Sequence, residues 1–164
     1  MKVALRAILV IAFLLLTQAV ASAQGMTLEE KIVESFRVHG PTWLVLRTDH
    51  IPYQEEVKHE VLYFKWQGAE AYGEVIIFLY RSPEETNRTL KACVEANHVL
   101  QMRKTILKRA PESFGDESYA WEGVGLDEGR FGYMFRRGGA VVVTSSSSLR
   151  AAGQLASLTL QAIP

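Results

Sequence analysis

Two histidines and four carboxylates, Asp49, His50, Glu55, Glu56, His59 and Glu60, fall within one short stretch of this 164-residue chain. Imidazoles and carboxylates make a metal site when three or four of them converge about 2.0–2.3 Å from one ion. No His-Glu-x-x-His or His-x-His spacing occurs here, and His59 and Glu60 are adjacent in a strand-like pattern, so they face opposite sides. A solvated loop is the better reading, and a small metal-dependent hydrolase using His50 and His59 is the alternative. Asp116 and Glu117 have the chemistry of an acid/base pair, but adjacent carboxylates diverge in an extended chain. Arg136 and Arg137, beside a hairpin turn, are placed either to clamp an anion or to guard a strand end against edge pairing. Ser145 to Ser148 supply hydroxyls, yet no Gly-x-Ser-x-Gly surrounds them and no spacing nominates a base. Four serines ahead of a helix suit a cap and a hydrated turn. Asp116, Glu117, Arg136 and Arg137 are therefore the binding candidates. No residue is assigned as catalytic, and no motif calls for a cofactor.

The elements that would position these groups are legible in part. Thr27 with Glu30 forms a Thr-x-x-Glu capping box, and a helix runs from there through Ile32, Phe36 and His39 to a stop at Gly40-Pro41. Trp43 to Leu46 reads as a short buried strand, broken by Asp49-His50-Ile51-Pro52. From Val57 the pattern alternates: Leu62, Phe64 and Trp66 point one way, Val61, Tyr63 and Lys65 the other. Gln67 to Glu70 turns the chain, and Tyr72 to Tyr80 returns as the second strand of a hairpin. Ser82, Pro83, Glu84 and Glu85 then open a second helix with a cap, a proline at the first position and acidic residues at the positive end of the dipole.

Where that helix ends decides several later points. Thr86, Leu90, Cys93, Asn97 and Leu100 form one stripe, which places Cys93 in a core. Beyond Asn97 the pattern moves to Val99, Met102 and Ile106. Either Asn97 is a left-handed cap and the helix stops near His98, or the helix continues to Arg109 with a second apolar side. Lys104, Lys108 and Arg109 ahead of Pro111 favour the long version. A helix apolar on two sides must be sandwiched or meet another chain, so the stripe Val99, Met102, Ile106 offers a homodimer surface. Tyr119 to Trp121 is a further strand. Arg130 to Arg137 and Ala140 to Thr144 form a hairpin across Gly138-Gly139, and Ser148 caps a last helix carrying Leu149, Ala152, Ala156, Leu160 and Ile163. The order is α-β-ββ-α-β-ββ-α. It implies an α+β fold, with an antiparallel twisted sheet of about six strands and three helices packed on it.

Composition sets the class. The 18 basic and 18 acidic residues cancel, and 48% of residues are apolar, which excludes a disordered charged tail and a multi-span membrane protein. No basic surplus exists to support a nucleic-acid binder. A single cysteine excludes a disulfide framework and any Cys-based zinc site. At the N-terminus, Lys2 and Arg6 precede an apolar run from Ala7 to Leu16 and the small-x-small pattern Ala21-Ser22-Ala23. Ten apolar residues rise only about 15 Å as a helix, half of a hydrocarbon core, so residues 1–23 read as a signal peptide rather than an anchor. The mature chain, Gln24 to Pro164, is then one α+β domain with 16 basic and 18 acidic residues. Its expected address is periplasmic or extracellular, with no stable membrane anchor after cleavage.

Phe114-Gly115-Asp116-Glu117-Ser118-Tyr119, followed by Phe135-Arg136-Arg137-Gly138-Gly139-Ala140-Val141-Val142-Val143 and a terminal helix, resembles many small exported bacterial domains with a GDE(A/S)Y turn and an arginine-tipped hairpin. The layout is similar to that of the Mog1/PsbP-like group. The resemblance covers about the last 50 residues and implies fold and export, with no activity attached. With no catalytic spacing found, the expected role is a non-enzymatic domain that binds a partner protein or a small ligand. Of the six aromatic residues Trp43, Trp66, Tyr72, Tyr80, Trp121 and Tyr133, most are expected in the core, and any on an open sheet face would form a stacking platform. N-terminal sequencing of protein recovered from outside the cytoplasm is predicted to begin at Gln24; a retained Met1 in that fraction would refute cleavage.

Overall fold

The computed structural model describes residues 25–100 and 105–164. Residues 1–23, expected to form a signal peptide, and Met102 lie outside that range. Helix α1 spans Leu28–His39, and three strands follow: β1 (Leu44–Gln54), β2 (His59–Gln67) and β3 (Tyr72–Tyr80). Helix α2 (Pro83–Glu95) leads to β4 (Thr105–Arg109), β5 (Glu117–Gly123), β6 (Phe131–Arg137), β7 (Ala140–Ser146) and helix α3 (Leu149–Ala162). All seven strands form one antiparallel sheet in the order β1-β2-β3-β7-β6-β5-β4. Two meanders therefore meet at the β3–β7 pair, where Ile77 stands opposite Val142. The α+β class stands, and the described residues hold seven strands where about six were expected.

The additional strand comes from the segment expected to extend α2 to Arg109. That expectation fails at Asn97. Its φ is +47°, a left-handed conformation that asparagine tolerates better than most residues. The His98 N–H bonds back to the Cys93 carbonyl and the Asn97 N–H to the Val94 carbonyl, which is a Schellman closure with Asn in the glycine position. The Asn97 side chain then accepts from the Leu107 N–H at 2.9 Å, so the residue that stops α2 also pins β4. Lys108 and Arg109 sit on this short edge strand and not at a helix end. The apolar stripe on α2 dissolves accordingly: Val99 is fully buried behind the helix end, while Ile106 lies on β4.

The other expected caps are present. Thr27 and Glu30 bond reciprocally, with the Thr27 N–H donating to Glu30 Oε2 at 2.7 Å and the Glu30 N–H to Thr27 Oγ1 at 3.2 Å. Ser82 accepts from the Glu85 N–H and Ser148 from the Ala151 N–H. One face of the sheet carries Leu62, Phe64, Trp66, Val75, Ile77, Phe135 and Val142, and α1 and α3 cover it. There the Phe36 ring stacks on Trp66 with centroids 3.8 Å apart, and the Ser35 hydroxyl donates to the Leu158 carbonyl, tying the two helices together. The opposite face carries Val61, Ile76, Phe78, Met134, Val141 and Val143, covered by α2 through Leu90 and Cys93. The hairpin-then-helix pattern thus occurs twice but sends its helices to opposite faces. We refer to the α1/α3 side as the front face and the α2 side as the back face.

One strand departs sharply from its expected setting. Asp49 to Pro52 do not break β1; the strand continues through them to Gln54, with register shifts near Leu46 and Pro52. Trp43 is buried just ahead of it, but Leu44, Val45 and Leu46 are exposed rather than core, because among the described residues α1 touches this edge strand only marginally. His39 likewise faces solvent at the end of α1.

Cys93 is buried on the α2 stripe, and burial pushes its thiol pKa up. It should resist thiol reagents in the native protein and react only on unfolding, and Cys93→Ser should cost about 1–3 kcal/mol. Rapid labelling of the folded protein, followed by mass spectrometry, would contradict this placement.

Candidate functional site

The histidine-rich segment does not converge. His50 stands opposite Leu62, on the front face, and its Nε2 lies 2.8 Å from Glu60 Oε1. His59 turns to the back face, its ring 5.3 Å from those of Phe78 and Tyr80. A sheet separates the two imidazoles, and among the described residues no group of three or more His, Cys, Asp or Glu side chains is placed to hold an ion. The alternation of β2 is the cause, because His59 and Glu60 must point apart.

Asp116, Arg136 and Arg137 do come together. Asp116 Oδ2 accepts from Arg136 Nη1 at 3.2 Å and from the Gly138 N–H at 3.1 Å, with Arg137 Nη1 3.9 Å from Oδ1. The Asp116 N–H donates to the Arg136 carbonyl at 2.8 Å. This close approach needs Gly115, whose φ is +63° and where a Cβ would lie 2.3 Å from that carbonyl oxygen. The chain's own carboxylate thus occupies the guanidinium pair, and the arrangement latches the loop before β5 onto the β6–β7 turn. The edge-guard alternative fails as well, since β6 is interior to the sheet. Glu117 bonds instead to the Tyr119 hydroxyl at 2.7 Å, and the Ser118 hydroxyl bridges Glu112 and Phe114. Every residue of the Gly-Asp-Glu-Ser-Tyr turn has a local structural partner.

The polar constellation that the sequence analysis missed lies on the back face, beyond the reach of α2. Register aligns Arg47, Lys65, Glu74 and Ser145 in one row across β1, β2, β3 and β7. Glu74 Oε1 accepts from the Tyr63 hydroxyl at 3.1 Å, and Glu74 Oε2 and Ser145 Oγ both lie 2.5 Å from Arg130 Nη2. Burial together with the Glu74 carboxylate pushes the Tyr63 hydroxyl pKa up to about 12. Arg47 pairs along its own strand with Asp49. Lys65 alone in the row, half-buried, has no acidic partner within ion-pair distance among the described residues. The available signal was Glu74 itself, a carboxylate interrupting the apolar run of β3; Arg130 lies in a loop segment 56 residues away, and only the fold joins them.

Two clefts open on this side. One, of about 370 Å³, is bounded by Lys65, Tyr72, Glu74, Arg130 and Ser145. The other, of about 530 Å³, runs along Arg47, Ile51, Val61, Tyr63 and Ile76. Tyr72 is 57% exposed at the mouth of the first, whereas Trp43, Trp66, Trp121 and Tyr133 are buried. The surface therefore combines a lysine without an acidic partner, a largely exposed tyrosine and a fixed guanidinium–carboxylate pair. The chain matches no known family model, and no curated protein is significantly similar to it.

The Tyr63 pKa has a consequence for stability. The folded state holds the phenolic proton more tightly than the unfolded chain, so this contribution is fully present below about pH 10 and is lost as pH rises through about 12. Tyr63→Phe should cost about 0.5–1.5 kcal/mol at neutral pH and should reduce the alkaline decline in that window. Urea midpoints measured across pH for both proteins test it; identical alkaline slopes would refute the assignment.

Proposed function

We propose that the mature protein is an exported, non-enzymatic binding module, and that the open end of the back face is where its small ligand or partner protein docks. The observation that carries this reading is Lys65, a half-buried residue whose side chain has no acidic partner among the described residues, beside the exposed Tyr72. A ligand carboxylate or phosphate would supply the opposite charge that Lys65 lacks. Tyr63, Glu74 and Arg130 hold the floor of the site rigid by their mutual bonds, so little ordering is needed on binding. The preferred ligand is then a flat or peptide-like group carrying one acidic function. The resemblance of the Gly115–Tyr119 turn and the β6–β7 hairpin to small exported domains supports the same reading, as does the leader-like sequence of residues 1–23.

Titrating isotope-labelled mature protein with inorganic phosphate and, separately, with a short acidic peptide tests the proposal by amide chemical shifts. Perturbations should cluster at Lys65, Tyr72, Glu74, Arg130 and Ser145, and Lys65→Gln should weaken binding by about tenfold or more, the scale of one charge-assisted contact. Shifts confined to α1 or α3 would place the site elsewhere, and no shifts with either probe would remove Lys65 as its anchor.

A further inference from the structure

The two ends of the sheet are treated unequally. At one end β4 is five residues long and carries Lys108 and Arg109, the short, charged form in which natural proteins leave an edge that must not pair. At the other end β1 is eleven residues long and exposes Leu44 (64%), Leu46 (52%), Ile51 (48%) and Val45 (42%). Among the described residues α1 touches β1 only marginally and no strand pairs with its outer edge. Apolar residues concentrated on an unguarded edge strand are a template for strand addition.

The sequence of the strand specifies what adds to it. When a strand pairs with its own copy across a twofold axis, opposed residues share a sheet face, so the axis passes through one residue. Arg47 and Asp49 lie on the same face, since they stand opposite Lys65 and Tyr63 on β2. An axis at Arg47 would set arginine against arginine, and one at Asp49 would set aspartate against aspartate. An axis at His50 pairs neither charge with its opposite. An axis at Thr48 places Arg47 opposite Asp49 of the second copy and Asp49 opposite its Arg47, with Leu44 to Leu46 beside His50 to Pro52. Opposite charges across a strand pair stabilise it and like charges oppose it.

We propose that the β1 edge binds a second copy of this chain, antiparallel about Thr48, joining the two sheets into one continuous sheet of fourteen strands. This surface is separate from the stripe Val99, Met102, Ile106, which the end of α2 at Asn97 removes. The pairing is self-limiting, because among the described residues the assembly's other free edges are the guarded β4 strands. The proposal does not rest on ligand binding at Lys65, and its test reads mass rather than ligand.

Sedimentation velocity of the mature chain should show a dimer across the micromolar range. Arg47→Asp and Asp49→Arg, each exposing like charges across the axis, should shift the protein to a folded monomer with unchanged far-ultraviolet circular dichroism and a melting temperature that no longer depends on protein concentration, and combining both should restore the dimer. Thr48→Cys gives a second readout that does not depend on charge. Opposed residues at the axis have Cα atoms about 4.5–5.5 Å apart, within disulfide range, so this variant should cross-link to itself under mild oxidation while the buried Cys93 takes no part. A monomeric wild type, a dimer indifferent to both charge reversals, or a dimer that does not cross-link at Thr48→Cys would each overturn the proposal.

Discussion

Three helices must cover a sheet too wide for them. Seven strands at about 4.8 Å spacing span about 29 Å, while a helix packed on a sheet covers about 10 Å of that width. Covering both faces would take about six helices, and this chain has half that number among its described residues. It places α1 and α3 on the front and α2 on the back, over the centre where β3 meets β7. The strands at the centre are accordingly buried on both sides, and β7 has no exposed residue. The margins are left bare.

What is bare then determines which residues can act. The back face of β1 to β3 has no helix above its upper end, so Tyr63, Lys65 and Glu74 meet solvent there instead of a packed layer. The same shortage leaves Leu44, Val45, Leu46 and Ile51 of β1 largely exposed. A polar row and an apolar edge thus arise from one geometric deficit, at adjoining parts of the sheet. By contrast, the groups with the most obvious chemistry are engaged internally: Asp116 with Arg136 and Gly138, Glu117 with Tyr119, and Ser148 with the first turn of α3. Chemical type alone does not separate a free group from an engaged one, because the partner lies elsewhere in the chain.

Local rules accounted for most element starts. The capping box at Thr27, the Ser82-Pro83 opening and the Gly138-Gly139 turn are all in place, since each is satisfied within a few residues of itself. The misread element was the stretch after Asn97, where local preference was divided. Lysines before a proline suit a helix end, but they also suit a guarded edge strand. The choice was made by Leu107, whose N–H meets the Asn97 side chain and whose apolar side joins the back-face core. Both contacts span about ten residues or more, and neither leaves a trace in helical periodicity.

By itself, then, the sequence determined the α+β class, the alternation that divides β2 into two faces, the helix caps and the burial of Cys93. Those features follow from period, composition and nearest neighbours, which act at short range. Tertiary structure alone decided that β1 is a bare edge strand, that His50 and His59 lie on opposite faces, and that Glu74 meets Arg130 across 56 residues of chain. Each depends on strand order and register, and these are fixed by the mutual packing of all seven strands rather than by any one segment.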